Sequence, residues 1–514
     1  MSIEEKIEIL RKKSEQAKQG GGLERIEKQH KSGKLTARER LDRLLDPGSF
    51  EESGMFITHQ STAFGVEENK FYGDGVITGS GLINGKRVYV FAQDFTVMGG
   101  SLGEQHANKI CAVMERAVQV GSPIIGLIDS GGARIQEGLG HYGSIFFRNV
   151  LAAGVVPQIS VILGPCAGGA VYSPALSDFV FMVKKTSQMH ITGPKVIKEV
   201  TGESVTAEEL GGAQVHSEKS GVVHFTTDTE KECLNLVKRL LSFLPSNNRE
   251  MPPMITSNDV IDREEDEIAR LIPEDPREPY DMCEVLRLVA DKKEFLEIMD
   301  QYAMNIIIGF MRLNNQPIGV IANQPMVLGG CLDIDASDKA ARFIRFCDAF
   351  NFPIITFIDC PGYLPGIEQE HGGIIRHGAK MLYAYCEATV PRISIIVRKI
   401  YGGAMSGMSA SKLVGTDLTV ALPTAEIAIM GPGAAAQIIF KEEIEKAKDK
   451  KDMMNRKIEE YREKFANPYL AAEKGWLDAI IEPKKIRPFI ITSLERLKGK
   501  MEIRPKKRHG TIPL

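Results

Sequence analysis

Apolar residues in this chain gather into short runs separated by glycine, proline and charged residues. Residues 124–128 form one such run between Pro123 and Asp129, and residues 159–163 form another; both predict buried strands. Residues 88–92 predict a third strand, and the spacing over 107–120 predicts a helix. Residues 1–50 predict helix as well. There Thr36 and Glu39 make a T-x-x-E capping box, Leu41, Leu44 and Leu45 give an apolar face, and Pro47-Gly48 ends the element. The order of strands and helices predicts an α/β fold.

The same order recurs in the second half. Residues 320–322 precede Gly329-Gly330 as residues 88–92 precede Gly99-Gly100. Ile354-Ile355-Thr356-Phe357-Ile358-Asp359 repeats Ile124-Ile125-Gly126-Leu127-Ile128-Asp129, and Pro391 repeats Pro157. Gly402-Gly403-Ala404 repeats Gly168-Gly169-Ala170, and Ile429-Met430-Gly431-Pro432 repeats Ile191-Thr192-Gly193-Pro194. The separation between matched residues grows slowly and the order never changes. That pattern indicates two copies of one domain, with a period far too long for a solenoid. Between the copies, residues 244–280 carry Pro245, Pro252, Pro253, Pro273, Pro276 and Pro279 among acidic residues, which is linker composition with room for a short helix. Late in the chain, residues 441–465 are charge-rich. Met454, Ile458, Tyr461 and Phe465 recur there at helical spacing, predicting a solvated helix that packs by one face, with a partner-docking helix as the alternative.

Composition narrows the class. Of 514 residues, 43% are hydrophobic and 25% charged, which is ordinary for a globular protein and leaves no case for a fibrous or disordered one. The formal charge of −3 argues against a general nucleic-acid binder. The eight cysteines include no C-x-x-C pair, so they read as reduced, buried thiols of an intracellular protein. Residues 149–177 carry no formal charge, but Pro157, Pro165, Pro174 and Gly168-Gly169 interrupt them. They predict buried strand, turn and helix rather than a membrane span. With no apolar segment at the N-terminus to direct secretion, a soluble, cytoplasmic protein is expected.

The repeated Gly-Gly-Ala is the strongest chemical signal. The first backbone N–H groups of a helix lack partners within the helix, and glycine lets a ligand oxygen come close to them. Such a turn can stabilise negative charge developing on a carbonyl oxygen. Taken singly, the tripeptide also fits a tight strand-to-helix turn with no further role; its appearance in both copies favours a working site. Other constellations lack support. Gly99-Gly100-Ser101-Leu102-Gly103 matches G-x-S-x-G formally, but no strand leads straight into Ser101. His371 and His377 lack a third ligand at matched spacing, so no metal is expected. No phosphate-binding G-x-x-x-x-G-K-[ST] occurs. Asp129 and Asp359 end equivalent strands; helix capping is the expected role for both, with pocket shaping as the alternative.

Several longer strings sharpen this. They are Lys34-Leu35-Thr36-Ala37-Arg38-Glu39-Arg40, Gln93-Asp94-Phe95-Thr96-Val97-Met98-Gly99-Gly100-Ser101 and Ser130-Gly131-Gly132-Ala133-Arg134-Ile135-Gln136-Glu137-Gly138 in the first half. In the second half they are Gly372-Gly373-Ile374-Ile375-Arg376-His377-Gly378-Ala379-Lys380, Pro423-Thr424-Ala425-Glu426-Ile427 and Phe465-Ala466-Asn467-Pro468. In these the chain resembles the carboxyltransferase (beta) subunits of biotin-dependent acyl-CoA carboxylases, of the propionyl-CoA carboxylase type, and the related methylmalonyl-CoA decarboxylase alpha subunits.

The resemblance implies two crotonase-like domains: an N-terminal one over 1–245 holding acyl-CoA, a linker over 246–280, and a C-terminal one over 281–514 holding biotin. It implies that Gly168 and Gly169 face the acyl thioester oxygen and that Gly403 and Ala404 face the biotin ureido oxygen. Gly131, Gly132 and Ala133 would line the acyl-CoA pocket. Met405 and Ser406 stand where propionyl-type members usually have Tyr and Asp, so the acyl pocket is expected to be altered. The implied partners are other copies in a homo-hexamer with sites between subunits, a separate biotin carboxyl carrier protein and a biotin carboxylase. No Met-Lys-Met acceptor for biotin is present in this sequence. The alternative is a sodium-pumping methylmalonyl-CoA decarboxylase with membrane-bound partners, running the transfer in reverse. A hydratase or isomerase of the wider crotonase group, or a scaffold without activity, is disfavoured.

Overall fold

The computed structural model describes residues 1–62, 64–68, 70–138 and 140–513. It divides into two compact units, Met1–Glu250 and Met251–Leu514. Among the described residues no helix is long and apolar enough to cross a membrane.

The first unit is built on an 8-stranded sheet. Its order is Glu51–Ser53, Val76–Ile83, Lys86–Gln93, Ile124–Ser130, Gln158–Ala167, Phe179–Val183 and Phe225–Thr227, with Gln188–His190 paired to Gln158–Ala167. The first three strands pair antiparallel and the remainder parallel. Every residue of Ile124–Ser130 is buried, as the uninterrupted apolar run predicts for a strand covered on both faces. The helix Glu104–Val120 places Ala107, Ile110, Met114 and Ala117 against this sheet and stops at Gly121 in the left-handed conformation. The capping box at Thr36 is present: the Glu39 N–H donates to the Thr36 hydroxyl and the Thr36 N–H to the Glu39 carboxylate.

The second unit repeats this sheet strand for strand. Its order is Phe295–Ile298, Ile306–Leu313, Gln316–Asn323, Ile354–Cys360, Arg392–Tyr401, Leu418–Ala421 and Ala479–Ile480, with Glu426–Ala428 paired to Arg392–Tyr401. Ile268, Ile272 and Tyr280, from the stretch of linker-like composition, are buried in this unit's core beside Val320, Phe357 and Ile395. The charge-rich stretch forms two helices, Lys441–Lys446 and Lys450–Phe465, because Asp449 caps the second through the N–H groups of Lys451 and Asp452. Of the four apolar residues expected on one face, Tyr461 is buried while Phe465 is exposed, its ring tilted against that of Tyr461.

Both sheets share one irregularity. Ile128 pairs with Ile162, but Ser130 pairs with Cys166; in the second unit Ile358 pairs with Ile396, but Cys360 pairs with Ile400. Asp129 and Asp359 lie at these shifts, fully buried. They do not cap helices, contrary to the sequence expectation; each carboxylate is held inside its unit by cations. Asp129 accepts from Gln29 Nε2 (2.9 Å), Lys34 Nζ (3.0 Å) and Arg40 Nη1 (2.9 Å). Arg40 also grips Glu230, with Nε at 2.9 Å and Nη2 at 2.7 Å. Residue 164 must be glycine, since a Cβ there would lie 2.0 Å from the Asp129 Oδ1. Asp359 instead accepts from Arg398 Nε (2.9 Å) and the Lys399 N–H (3.1 Å). By strand register Arg398 and Lys399 take the places of Gly164 and Pro165.

Removing one partner of a buried charge cluster leaves the others without compensation. Asp129→Asn is therefore expected to lower unfolding free energy by about 3–5 kcal/mol in urea melts; a loss under about 0.5 kcal/mol would show that the carboxylate anchors nothing.

Burial also pushes the thiols of Cys233 and Cys360 up to about 12. In the unfolded chain they ionise first, so their contribution is whole below about pH 8.5 and fades as pH climbs towards 12. Lys109 and Lys339, drawn down to about 8 by burial, act in the opposite sense and gain stability across about pH 8–10.5. A paired comparison separates the two. The wild type should lose more stability between about pH 8 and 11 than Cys233→Val does; equal losses would contradict the thiol's part.

Candidate active site

In the first unit, strand Gln158–Ala167 runs into Gly168, which has φ +63, then a 3₁₀ turn over Gly168–Val171 and a helix, Tyr172–Leu176. A Cβ on Gly169 would lie 2.7 Å from the Tyr142 ring, so only glycine fits beneath that side chain. In the second unit, strand Arg392–Tyr401 runs into Gly402, at φ +55, then Gly403 and the helix Ala404–Gly407. The Gly402 N–H is spent on the Ala428 carbonyl (3.0 Å). The first bonds of the turn run from the Met405 N–H to Gly402 O (3.1 Å) and from the Ser406 N–H to Gly403 O (3.2 Å). The N–H groups of Gly403 and Ala404 precede them. Two adjacent donors are thus left at the mouth of the turn, which is the geometry an oxyanion needs. Because both helices are so short, the positive potential comes from these local amides and not from a long helix dipole.

The repeat fixes which residues correspond. Gly402 is the counterpart of Gly168, so Gly403 and Ala404 correspond to Gly169 and Ala170, one residue beyond the pair Gly168 and Gly169. Gly168 supplies the left-handed corner that aims the turn.

The Gly131-Gly132-Ala133 loop follows strand Ile124–Ser130. Its Gly131 N–H donates to Gly99 O (2.9 Å) and its Gly132 N–H to the Ser130 hydroxyl (3.1 Å). Gly132 has φ +105, and a Cβ on it would lie 2.9 Å from Ala167 O, so the loop passes tightly beside the end of the next strand. Ala133 forms an isolated bridge with Leu102 and leaves its methyl exposed. Arg134 locks the loop from behind, its Nη1 2.7 Å from Asp74 and 2.8 Å from Glu137. Burial raises the Asp74 carboxyl while the arginine lowers it. Met405 and Ser406 are half-buried on the turn just past Ala404.

A cavity of about 800 Å³ opens beside the first unit's loop. Arg25, Lys28, Lys34 and Lys185 line it with Phe64, Phe71, Phe95, Met98 and Gly99. Among the described residues that line it there is no carboxylate. Arg25 sits over the Phe71 ring at 5.5 Å and donates to Thr96 O (3.2 Å); Lys34 sits over Phe95 at 4.3 Å. The cavity therefore suits a ligand with several negative charges and an aromatic or apolar part. Gly99 joins it to the loop, because its carbonyl accepts the Gly131 N–H. Sequence reasoning missed this cavity. The one signal was Gly20-Gly21-Gly22: a Cβ on Gly21 would lie 1.9 Å from Thr96 O, so the N-terminal helices fold back closely enough to form a wall.

Among the described residues no group of three or more His, Cys, Asp and Glu side chains is placed to hold a metal ion. His377 Nδ1 lies 2.9 Å from Asp338, which also binds Lys380 Nζ at 2.7 Å; His371 is exposed. The Ser101 hydroxyl donates to Met98 O (2.8 Å), after a 3₁₀ turn and not at a strand-to-helix elbow.

Known proteins share this sequence and fold. The carboxyl transferase domain family matches residues 28–512. The chain is 56% identical to the propionyl-CoA carboxylase carboxyltransferase subunit of Haloferax mediterranei, covering 100% of both chains. It is 55% identical to the methylmalonyl-CoA decarboxylase alpha subunit of Veillonella parvula, again covering 100% of both. The solved 12S transcarboxylase, a hexamer assembly with methylmalonyl-CoA and methylmalonic acid bound, superposes with a TM-score of 0.97 at 48% identity over 100% of this chain and 99% of that one. The two units are accordingly duplicated crotonase-like domains, and the chain belongs to the carboxyl transferase family.

Proposed function

We propose that this chain is the carboxyltransferase subunit of a biotin-dependent acyl-CoA carboxylase. It moves a carboxyl group from carboxybiotin on a separate carrier protein to the α-carbon of a short acyl-CoA, turning propionyl-CoA into methylmalonyl-CoA. The observation that carries this reading is the duplicated turn, whose amides at Gly403 and Ala404 stand ahead of the first hydrogen bond. A biotin ureido oxygen needs paired donors of this kind, and the residues present fit it. Carboxybiotin, when bound, supplies CO₂ and a basic nitrogen. The chain's own work is electrostatic. The amides at Gly403 and Ala404 hold one oxyanion, and those of the Gly168-Gly169-Ala170 turn hold the thioester oxygen as the α-carbon loses its proton and becomes an enolate. The enolate carbon then attacks CO₂. Donors fixed in place before the reaction stabilise such charge without reorganising.

The basic cavity takes the phosphates and adenine of CoA, and Gly131, Gly132 and Ala133 lead from it to the thioester. Met405 and Ser406 shape the site beside the second turn. The working assembly is a homo-hexamer served by a biotin carboxyl carrier protein and a biotin carboxylase. A second reading, the transferase of a sodium-pumping decarboxylase running in reverse with membrane partners, rests on the 55% identity to the Veillonella subunit. Supplying carboxybiotin with acetyl-, propionyl- or butyryl-CoA tests the main reading. Carboxylation of none of them would sink it.

Gly403 has φ −62, which proline shares, and a Cβ there meets nothing nearer than 3.8 Å. Gly403→Pro thus deletes one N–H and should cut turnover by at least about 100-fold, whereas Gly403→Ala, which keeps the N–H, should stay within about tenfold. Equal turnover in the two variants would show that this amide is idle. In the cavity, Lys28→Glu with Lys185→Glu should raise KM for propionyl-CoA by at least about tenfold and leave kcat nearly unchanged, since the phosphates are bound alike in ground and transition states. An unaltered KM would place the nucleotide elsewhere.

A further inference from the structure

The two loops that follow the central strands are built alike except at one position. Ala133 bridges Leu102, and Tyr363 bridges Leu332. The Leu102 N–H donates to Gly132 O (2.9 Å) and the Leu332 N–H to Gly362 O (3.0 Å); both glycines have positive φ. Ala133 and Tyr363 therefore hold the same place, each beside its own unit's Gly-Gly-Ala turn. The first unit offers an exposed methyl there. The second offers a half-buried phenol whose ring lies 3.8 Å from a Cβ built on Gly403.

The ring is seated by design of its surroundings. A Cβ on Gly378 would lie 2.9 Å from it, and a Cβ on Gly407 would lie 2.6 Å from its hydroxyl oxygen. Gly378 is inside the helix Ile374–Glu387, where alanine would be the better helix former. Two glycines thus keep a slot open for this side chain. The hydroxyl at the bottom of the slot is buried and has no hydrogen-bond partner. A buried hydroxyl without a partner destabilises the fold, so the benefit of the residue lies in its ring. Tyr142 touches the first turn as well, but it is buried behind Gly169 and comes from a helix, so it adds no wall at the Ala133 position.

An aromatic wall beside paired N–H donors is complementary to a flat, neutral ring that carries its acceptor oxygen in the ring plane. An open methyl at the same place leaves room for the tetrahedral carbon next to a thioester. We infer that Tyr363 is the specificity-determining residue of the second turn, selecting a planar cyclic urea over an acyl thioester. This rests on the functional reading above, in which that urea is biotin.

The test uses the full-length chain with free biotin as the probe, and two measurements: the KM for biotin in carboxyl exchange with methylmalonyl-CoA, and the Kd for propionyl-CoA. Tyr363→Ala should raise the biotin KM by at least about tenfold while leaving the propionyl-CoA Kd within about twofold of wild type. Tyr363→Phe keeps the ring and discards only the unpartnered hydroxyl, so it should restore the biotin KM to within about threefold. A Tyr363→Ala chain that binds propionyl-CoA and uses biotin with the wild-type KM overturns the assignment alone. A wild type that binds propionyl-CoA but transfers nothing to biotin overturns the functional reading and the assignment with it.

Discussion

A carboxylate sealed from water must be met by positive charge or by hydrogen bonds, or it will not stay ionised. Asp129 and Asp359 each impose that demand at the point where the two central strands of a unit fall out of register. The strand pair leaves its regular ladder there, and both site loops begin within a few residues. Gly131-Gly132-Ala133 departs from one strand and Gly168-Gly169-Ala170 from the next. Whatever holds the aspartate also holds the two loop origins at a fixed spacing.

The units meet the demand by different routes. In the second, Arg398 and Lys399 come from the irregular strand itself. Arg398 goes on to bind Asp275 O and Glu278 O and lies over the Tyr280 ring, which ties the 275–280 segment to the core. In the first, that strand carries Gly164 and Pro165. Glycine makes room for the carboxylate, and proline has no N–H that would need an acceptor. The cations come from Lys34 and Arg40, so the N-terminal helices are drawn onto the sheet. Lys34 and its neighbours then become a wall of the basic cavity. The cavity is in this sense a by-product of charge compensation, and the second unit needs no such wall at its own aspartate.

Much of this was legible in the sequence. The apolar runs at 124–128 and 159–163 gave the central strands because a strand covered on both faces has no polar positions to disguise it. The duplication was legible because strand ends and glycine turns are constrained by backbone geometry, which tolerates few substitutes. The roles of Asp129 and Asp359 were misread as caps, since their partners Lys34, Arg40 and Arg398 are distant in sequence and no local spacing announces them. The basic cavity was hidden for the same reason. The one-residue offset between the expected amide pairs was already implicit in the match of Gly402-Gly403-Ala404 to Gly168-Gly169-Ala170, and strand register agrees with it. The break in the helix at 447–449 was missed because a single Asp among many charges gives little warning of a new N-cap.

Duplicated genes often exchange sequence between their halves, each copy correcting the other. Here the divided solution to the buried aspartate closes that route. Gene conversion that carried Arg398 into the place of Gly164 would drive a third cation into a space already filled by Lys34 and Arg40. Conversion the other way would leave Asp359 stranded. The two halves cannot trade this segment without unbalancing a buried charge, so each keeps its own answer to the same constraint.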